Sequence, residues 1–165
     1  MSDNSKIHID LSYLASEDRL LLSLRSGLQR SDWWLTRRLT SLMVLHWIQK
    51  MDQVGLPELN LPGMSKIKRN LSQEHSLSLE FDGPAPNPLL LKSLEQTSLA
   101  TEITLSVSEL ECVVEFKSAH ETAKVKLTRK EAHAFLEMLA GKARAAGWLT
   151  LAQWPDWIGL QKPSI

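Results

Sequence analysis

Polar and apolar residues alternate from near the start of the chain. Ile7, Ile9, Leu11 and Tyr13 fall on one side of residues 6–13, and Lys6, His8, Asp10 and Ser12 on the other, the period-two pattern of a strand buried on one face. After a turn through Ala15-Ser16-Glu17-Asp18 the alternation resumes over 19–25. There Leu20, Leu22 and Leu24 face inward and Arg19, Leu21, Ser23 and Arg25 outward. A polar turn over 26–31 leads into a third strand that directs Trp33 and Leu35 inward and Trp34 outward. Thr36 stands where a helix N-cap belongs, because its hydroxyl can accept from a backbone N–H that the first turn leaves unpaired. The spacing predicts a helix to about Val54, ended by Gly55 in the left-handed position past the last turn.

The same order returns in the second half. Ile103, Leu105 and Val107 alternate, then Cys112, Val114 and Phe116, then Val125 and Leu127. Thr128-Arg129-Lys130-Glu131 has the form of a capping box. Ala132, Phe135, Leu136, Leu139, Ala143 and Ala146 trace one helical face, and Gly147 ends it. A shift of 92 residues carries 18–56 onto 110–148 without a gap. It matches Leu35-Thr36-Arg37 with Leu127-Thr128-Arg129, Ser26 with Ser118, Lys50 with Lys142 and Gly55 with Gly147. A match of this length reads as one supersecondary unit used twice.

Between the two runs lie a proline-punctuated loop at 56–63 and a short basic stretch at 65–69. Leu77, Leu79 and Phe81 alternate and read as a further strand, and Asn87-Pro88 opens a short helix through Leu94. Trp148, Trp154 and Trp157 mark a C-terminal segment expected to pack across the body. The expected architecture is α+β, with helices packed on antiparallel sheet. One domain over 1–165 would hold two pseudo-symmetric β-β-β-α units at about 6–56 and 99–148, an insertion at 57–98 and an extension at 149–165.

The first helix departs from the second. Leu39, Leu42, Met43, Val44, Leu45, Trp47, Ile48, Met51 and Val54 leave it hardly any polar face, and such a helix must be buried on more than one side. The tryptophan-rich tail, a second copy of the chain or another protein could cover it. Leu42, Leu45, Trp47, Ile48 and Met51 are the candidate interface residues, through which a homodimer would form.

Composition narrows the function classes. Nineteen basic residues balance nineteen acidic ones, and no part of the chain is strongly basic, which argues against a dedicated nucleic-acid or anionic-membrane binder. Cys112 is the only cysteine, so neither an intrachain disulfide nor a cysteine-built metal site is available. Beside Val113 and Val114 it reads as a small buried hydrophobe. The first residues lack the basic-then-apolar order of a signal peptide, and no apolar run approaches the ~20 residues that cross a bilayer. The expectation is a cytoplasmic protein with no membrane association.

No glycine-rich phosphate loop, Gly-x-Ser-x-Gly elbow or His-Glu-x-x-His helix occurs. The histidines at 8, 46, 75, 120 and 133 share no metal-ligand spacing. His46 reads as a core or interface residue, His120 and His133 as solvated surface. No catalytic, metal-binding or cofactor-binding residue is assigned, and no cofactor is expected. The outward sheet residues are better candidates: Arg19, Arg25 and Trp34 in the first half, Lys117, Lys124 and Lys126 in the second. Arg37 and Arg38 follow the first cap threonine, and Arg129 and Lys130 the second. An aromatic ring flanked by cations on an open sheet is a platform for unpaired bases. The alternative is that these residues solubilise the surface, with Trp34 beneath the tail. A basic pair at a helix start opposes the positive end of the helix dipole, so its recurrence points to an acidic partner inside or outside the fold.

Trp34-Leu35-Thr36 leading into 39–54, and Val125-Lys126-Leu127-Thr128 leading into 131–146, each close a run of strands with a helix. In this layout the chain resembles the Whirly and PUR-repeat superfamily of single-stranded nucleic-acid binders, over about 18–56 and 101–148. The resemblance implies that two units intertwine and that their outer sheet faces bind DNA or RNA. The family unit has four strands, whereas the first half here shows three and the second reaches four by taking in 77–81. The expected function is a small non-enzymatic interaction or assembly module acting on a protein partner or on itself. Single-stranded nucleic-acid binding is the alternative.

Overall fold

The alternating segments form strands and the 3.6-period segments form helices. In chain order they are β1 (His8–Leu14), β2 (Arg19–Ser26), β3 (Gln29–Thr36), α1 (Arg37–Gln53), α2 (Leu71–Leu79), β4 (Ser98–Leu99), β5 (Glu102–Val107), β6 (Glu111–Lys117), β7 (Thr122–Thr128) and α3 (Arg129–Ala145). The structure, a computed structural model, describes residues 6–54, 71–79, 97–148, 154–155 and 157–159, apart from the side chains at 72, 73, 77 and 78. β1, β2 and β3 pair antiparallel, β4 adds to β3 in parallel, and β5, β6 and β7 form a second, antiparallel sheet. The α+β class holds.

Register explains which leucines are inside. Leu11, Leu22 and Trp33 stand opposite one another, as do Tyr13, Leu20 and Leu35, so these residues share one face. The turn between β2 and β3 is tighter than the sequence pattern suggests. Gly27 takes φ 59°, which a two-residue hairpin turn demands and glycine supplies without strain, and the polar residues from Gln29 onward join β3. Downstream, Ala100 N–H donates to Trp34 O at 3.1 Å and Thr101 N–H to Lys117 O at 2.8 Å. The chain over 98–107 thereby leaves the first sheet and joins the second.

Both helices start on threonine. Thr36 Oγ1 accepts from Leu39 N–H at 3.3 Å. At Thr128 the capping box is complete, with Oγ1 accepting from Glu131 N–H at 3.1 Å and Glu131 Oε2 accepting from Thr128 N–H at 3.0 Å. α1 buries Thr40, Met43, Val44, Trp47, Ile48 and Met51. α3 buries the residues 92 positions further on: Ala132, Phe135, Leu136, Leu139, Ala140 and Ala143. α1 rests on β3 and β5, and α3 on β1, β6 and β7, so each helix reaches the opening strand of the other run. Trp33 meets Phe116 at 6.0 Å and Trp47 meets Phe135 at 5.5 Å between ring centroids. Trp148, Trp154 and Ile158 close the same core.

Four expectations need correction. Residues 77–79 are the end of a helix, not a strand: Leu71, Glu74, His75 and Leu79 recur at helical spacing and face the protein, and this period outweighed the alternation of leucines. α1 is not buried all round. Leu42 is 43% exposed, Leu45 half-buried, and the candidate interface residues Trp47, Ile48 and Met51 belong to the chain's own core. α3, which reads as amphipathic, is the helix buried on a second face, through Arg129, His133 and Glu137. Leu21 and Trp34 do lie on the outer face of the first sheet but are 7% and 8% exposed. Gly55, the loop at 56–63, the basic stretch at 65–69, Phe81 and the helix expected through Leu94 lie outside the described residues.

A core this tightly shared makes a direct contrast. Phe135→Ala should cost about 3–5 kcal/mol in urea-induced unfolding, whereas Leu42→Glu on the open face of α1 should stay within about 0.5 kcal/mol of the native chain.

Candidate functional site

The second buried face of α3 carries charges. Arg129, His133 and Glu137 sit four residues apart and therefore project from one stripe of the helix. α2 lies against that stripe and brings Glu74 and His75. All five side chains are buried, the carboxylates 9% exposed and His75 and His133 at 2% and 1%.

They form one continuous chain of contacts. Arg129 Nε donates to Glu74 Oε1 at 2.7 Å and Nη2 to Glu74 Oε2 at 3.0 Å, a two-pronged guanidinium–carboxylate pair. His133 Nε2 lies 3.1 Å from Glu74 Oε1, a close charge contact outside good hydrogen-bond alignment. The Nδ1 atoms of His133 and His75 meet at 2.9 Å, and His75 Nε2 lies 2.7 Å from Glu137 Oε2. That oxygen also accepts from Gly159 N–H at 2.7 Å, and the Trp157 ring stands 5.0 Å from the His75 ring.

The rest of the Arg129 head accounts for its burial. Nη1 donates to Val54 O at 2.6 Å and Ser108 O at 3.2 Å, and Nη2 to Met51 O at 3.4 Å. Five N–H donors thus meet five acceptors. Two of those acceptors, Met51 and Val54, are carbonyls at the end of α1, which that helix cannot pair internally.

These contacts set the ionisation of the cluster. Burial disfavours the Glu74 carboxylate, but His133 and the Arg129 fork outweigh it and hold the group at about 2, against an ordinary 4.5. Burial holds the His133 imidazole below its ordinary value, and Glu74 opposes that shift only in part. Both signs run the same way. A group held below its unfolded value lends stability that is complete above that value and lost as pH falls through the folded one.

Arg37, which occupies in α1 the place that Arg129 has in α3, also pairs inside the fold. Its Nη2 donates to Asp18 Oδ2 at 3.2 Å, and its guanidinium stands 5.7 Å over the Trp148 ring. Asp18, in the left-handed region at φ 47°, accepts from Trp148 Nε1 and Tyr13 Oη, each at 2.8 Å. These two hydrogen bonds, more than Arg37, hold its carboxyl below the ordinary range.

A second feature is open to solvent. A cleft of about 460 Å³ is lined by Ile7, by Leu24–Ser26 and Gln29–Ser31 at the end of the β2–β3 hairpin, and by Glu121–Val125 at the start of β7. Ser31 Oγ donates to Glu121 Oε1 at 3.3 Å across it.

The structure disperses most of the residues expected to bind nucleic acid. Arg25 faces Asp10 at 3.5 Å, Lys117 bridges Glu115 at 3.2 Å and Glu102 at 3.8 Å, and Lys126 pairs with Glu111 at 3.1 Å. Arg129 is buried in the cluster, Arg38, Lys124 and Lys130 are exposed, and Arg19 is half-buried. Trp34, the candidate stacking platform, presents almost no surface, in keeping with the alternative reading in which it is covered. Only Arg25 and Lys124 converge, in the cleft. His133, expected at the surface, is core.

Glu74, His75 and Glu137 were not anticipated. The stripe Arg129–His133–Glu137 was the available signal, but a polar stripe on an amphipathic helix reads as a solvated face. Among the described residues no three potential ligands gather in a geometry that holds a metal ion, and no helix is long and apolar enough to cross a membrane. No known protein family, curated protein or solved structure matches the chain.

Removing one partner from a buried pair leaves the other charge unpaired. Glu74→Gln should therefore destabilise the protein by about 3–5 kcal/mol in chemical denaturation at neutral pH. The fall in native stability between pH 4.5 and about 2 should be correspondingly shallower in that variant.

Proposed function

We propose that the protein is a non-enzymatic interaction module that docks an extended, acidic segment of a partner protein in the cleft between the β2–β3 hairpin and β7. The observation that carries this reading is the unbroken run Glu121–Val125 in the cleft wall. Side chains of a strand face line a cavity at every second residue, whereas consecutive residues line it when the strand presents its edge. β7 pairs only with β6 among the described residues, and an edge strand offers a ladder of N–H and C=O groups to an added strand. Of the cations round that edge, Arg25 faces Asp10 at 3.5 Å and Arg30 pairs with Asp32 at 3.0 Å, which leaves Lys124 in the cleft wall to meet a carboxylate of the occupant. The buried cluster is a poorer candidate for chemistry on a substrate, since each of its members is at least nine-tenths buried.

Single-stranded nucleic acid is the second reading, supported by Arg25 and Lys124 in the same cleft. The buried Trp34 weighs against it, because stacking supplies much of the affinity of such binders. A duplicated origin for 18–56 and 110–148 is supported by the coincident helix bounds and buried positions, and the crossing of each helix to the opposite run favours the likeness to Whirly and PUR-repeat proteins.

Amide spectra of the 15N-labelled chain can separate these readings. An acidic peptide of alternating Glu and Val should shift Gln29 and Thr122–Val125, while the Lys-Val counterpart should not. Lys124→Glu should weaken the acidic peptide by ~10-fold, or about 1.4 kcal/mol. Shifts caused by oligothymidylate and by neither peptide would move the assignment to nucleic acid. Silence with all three at low salt rejects both.

A further inference from the structure

β3 and β7 hold the same place in their sheets. Each runs antiparallel to the strand before it, ends on a cap threonine and leads into a helix of 17 residues. Their outer edges differ. On β3 the chain itself fills that edge: Trp33 stands opposite Ser98 and Trp34 opposite Leu99 in parallel, and Ala100 N–H donates to Trp34 O at 3.1 Å. Among the described residues β7 pairs on one side only. Lys126 lies 92 residues after Trp34, so the filled edge of β3 shows how a strand sits on the edge that β7 leaves open.

Two hydrogen bonds fix which groups of β7 point to that edge. Ser118 N–H donates to Glu121 O at 2.9 Å, which turns Glu121 towards β6. Thr128 N–H donates to Glu131 Oε2 at 3.0 Å, which turns Thr128 away from β6. Successive residues of a strand direct their N–H and C=O groups to alternate sides, and both ends give the same parity. Thr122, Lys124 and Lys126 offer theirs to the open edge, as Trp34 does on β3. Side chains alternate between the two faces as well. Val125 is buried and Lys124 open to solvent, so an added strand has an inner face on Ile7, Leu24 and Val125 and an outer face level with Lys124. β4 is divided in the same way, with Leu99 exposed and the following Ala100 buried.

We propose that the occupant of the cleft adds as a strand parallel to β7, running from the β6–β7 turn towards α3, with a carboxylate opposite Lys124 and an apolar side chain next to it on Ile7, Leu24 and Val125. Residues directly opposite in a sheet share a face. The one opposite Lys124 therefore lies outward beside the ammonium, and its two neighbours in sequence lie inward. Ile7, Leu24, Ala123 and Val125 have no side-chain hydrogen-bonding group, so a polar inner residue would give up water without a replacement. The backbone ladder supplies affinity, and the two side-chain positions supply selectivity. Direction and the apolar position rest on the docking of an acidic segment in this cleft, but each can fail while docking stands.

The alternating Glu-Val peptide, carrying a nitroxide at one end or the other, tests the direction on the full 15N-labelled chain. A nitroxide at the peptide's N-terminus should broaden the amides of Gln29 and Thr122 most, and one at its C-terminus those of Leu127 and Thr128. The reverse pattern, or equal broadening from both ends, would overturn the parallel strand and leave the docking of an acidic segment intact. Absence of peptide binding removes both. A Glu-Thr peptide tests the inner position, because threonine keeps the branched shape of valine and exchanges a methyl group for a hydroxyl. It should bind roughly tenfold more weakly than the Glu-Val peptide. Equal affinity of the two would overturn the apolar inner position.

Discussion

The buried guanidinium of Arg129 is the constraint around which the second half of the fold is arranged. A permanent cation away from water costs several kcal/mol unless its donors are filled, and this one needs five acceptors in a fixed planar fork. No single element supplies them. α2 brings the Glu74 carboxylate, α1 its last carbonyls, and the β5–β6 turn Ser108 O. Each element is held in place by a donor that has no alternative partner. Lysine could not substitute, because its three rotatable donors cannot span carbonyls on separate elements and a carboxylate at once.

The same side chain resolves an electrostatic anomaly. A cation in the first turn of a helix opposes the dipole of its own helix. Arg129 escapes this by reaching across to the end of α1, where carbonyls make the potential negative. Arg37 does the equivalent at the start of α1, reaching Asp18 and the ring of Trp148 just past the end of α3. Each helix thus sends its first side chain towards the end of the other, which fits two helices packed head to tail. The pairing selects arginine at both positions, and it makes both partners internal to the chain.

Much of this fold is legible in the sequence because it depends on local periods. The strand alternations, the cap threonines, the capping box at Thr128 and the stop at Gly147 all arise from requirements that neighbouring residues meet together. Polar residues buried by distant partners are a different matter. His133 is hydrophilic and lies in the first turn of a helix whose apolar face points elsewhere, so nothing within ten residues announces that α2 will cover it. Trp34 fails in the same way: alternation places it on the outer face correctly but says nothing of what covers that face. The alternation at Leu77 and Leu79 misled because leucines two apart can belong to either period, and the decisive residues, Glu74 and His75, are polar.

Hydrophobic counting also inverted the roles of the two helices. α1 has more apolar residues, yet both helices bury the same six positions against the sheets and each other, and that layer is common scaffold. The helices differ on the flank. Around α1 the flank holds Leu42 and Leu45, which remain partly open because leucine needs no partner. On α3 the corresponding flank holds Ala134 and Glu137, next to His133 and Arg129, and ions cannot be left half-dried without compensation. An apolar flank tolerates exposure at a modest cost, whereas a charged stripe that becomes buried must recruit specific partners. α2, supplied by the segment between the two runs, is that partner.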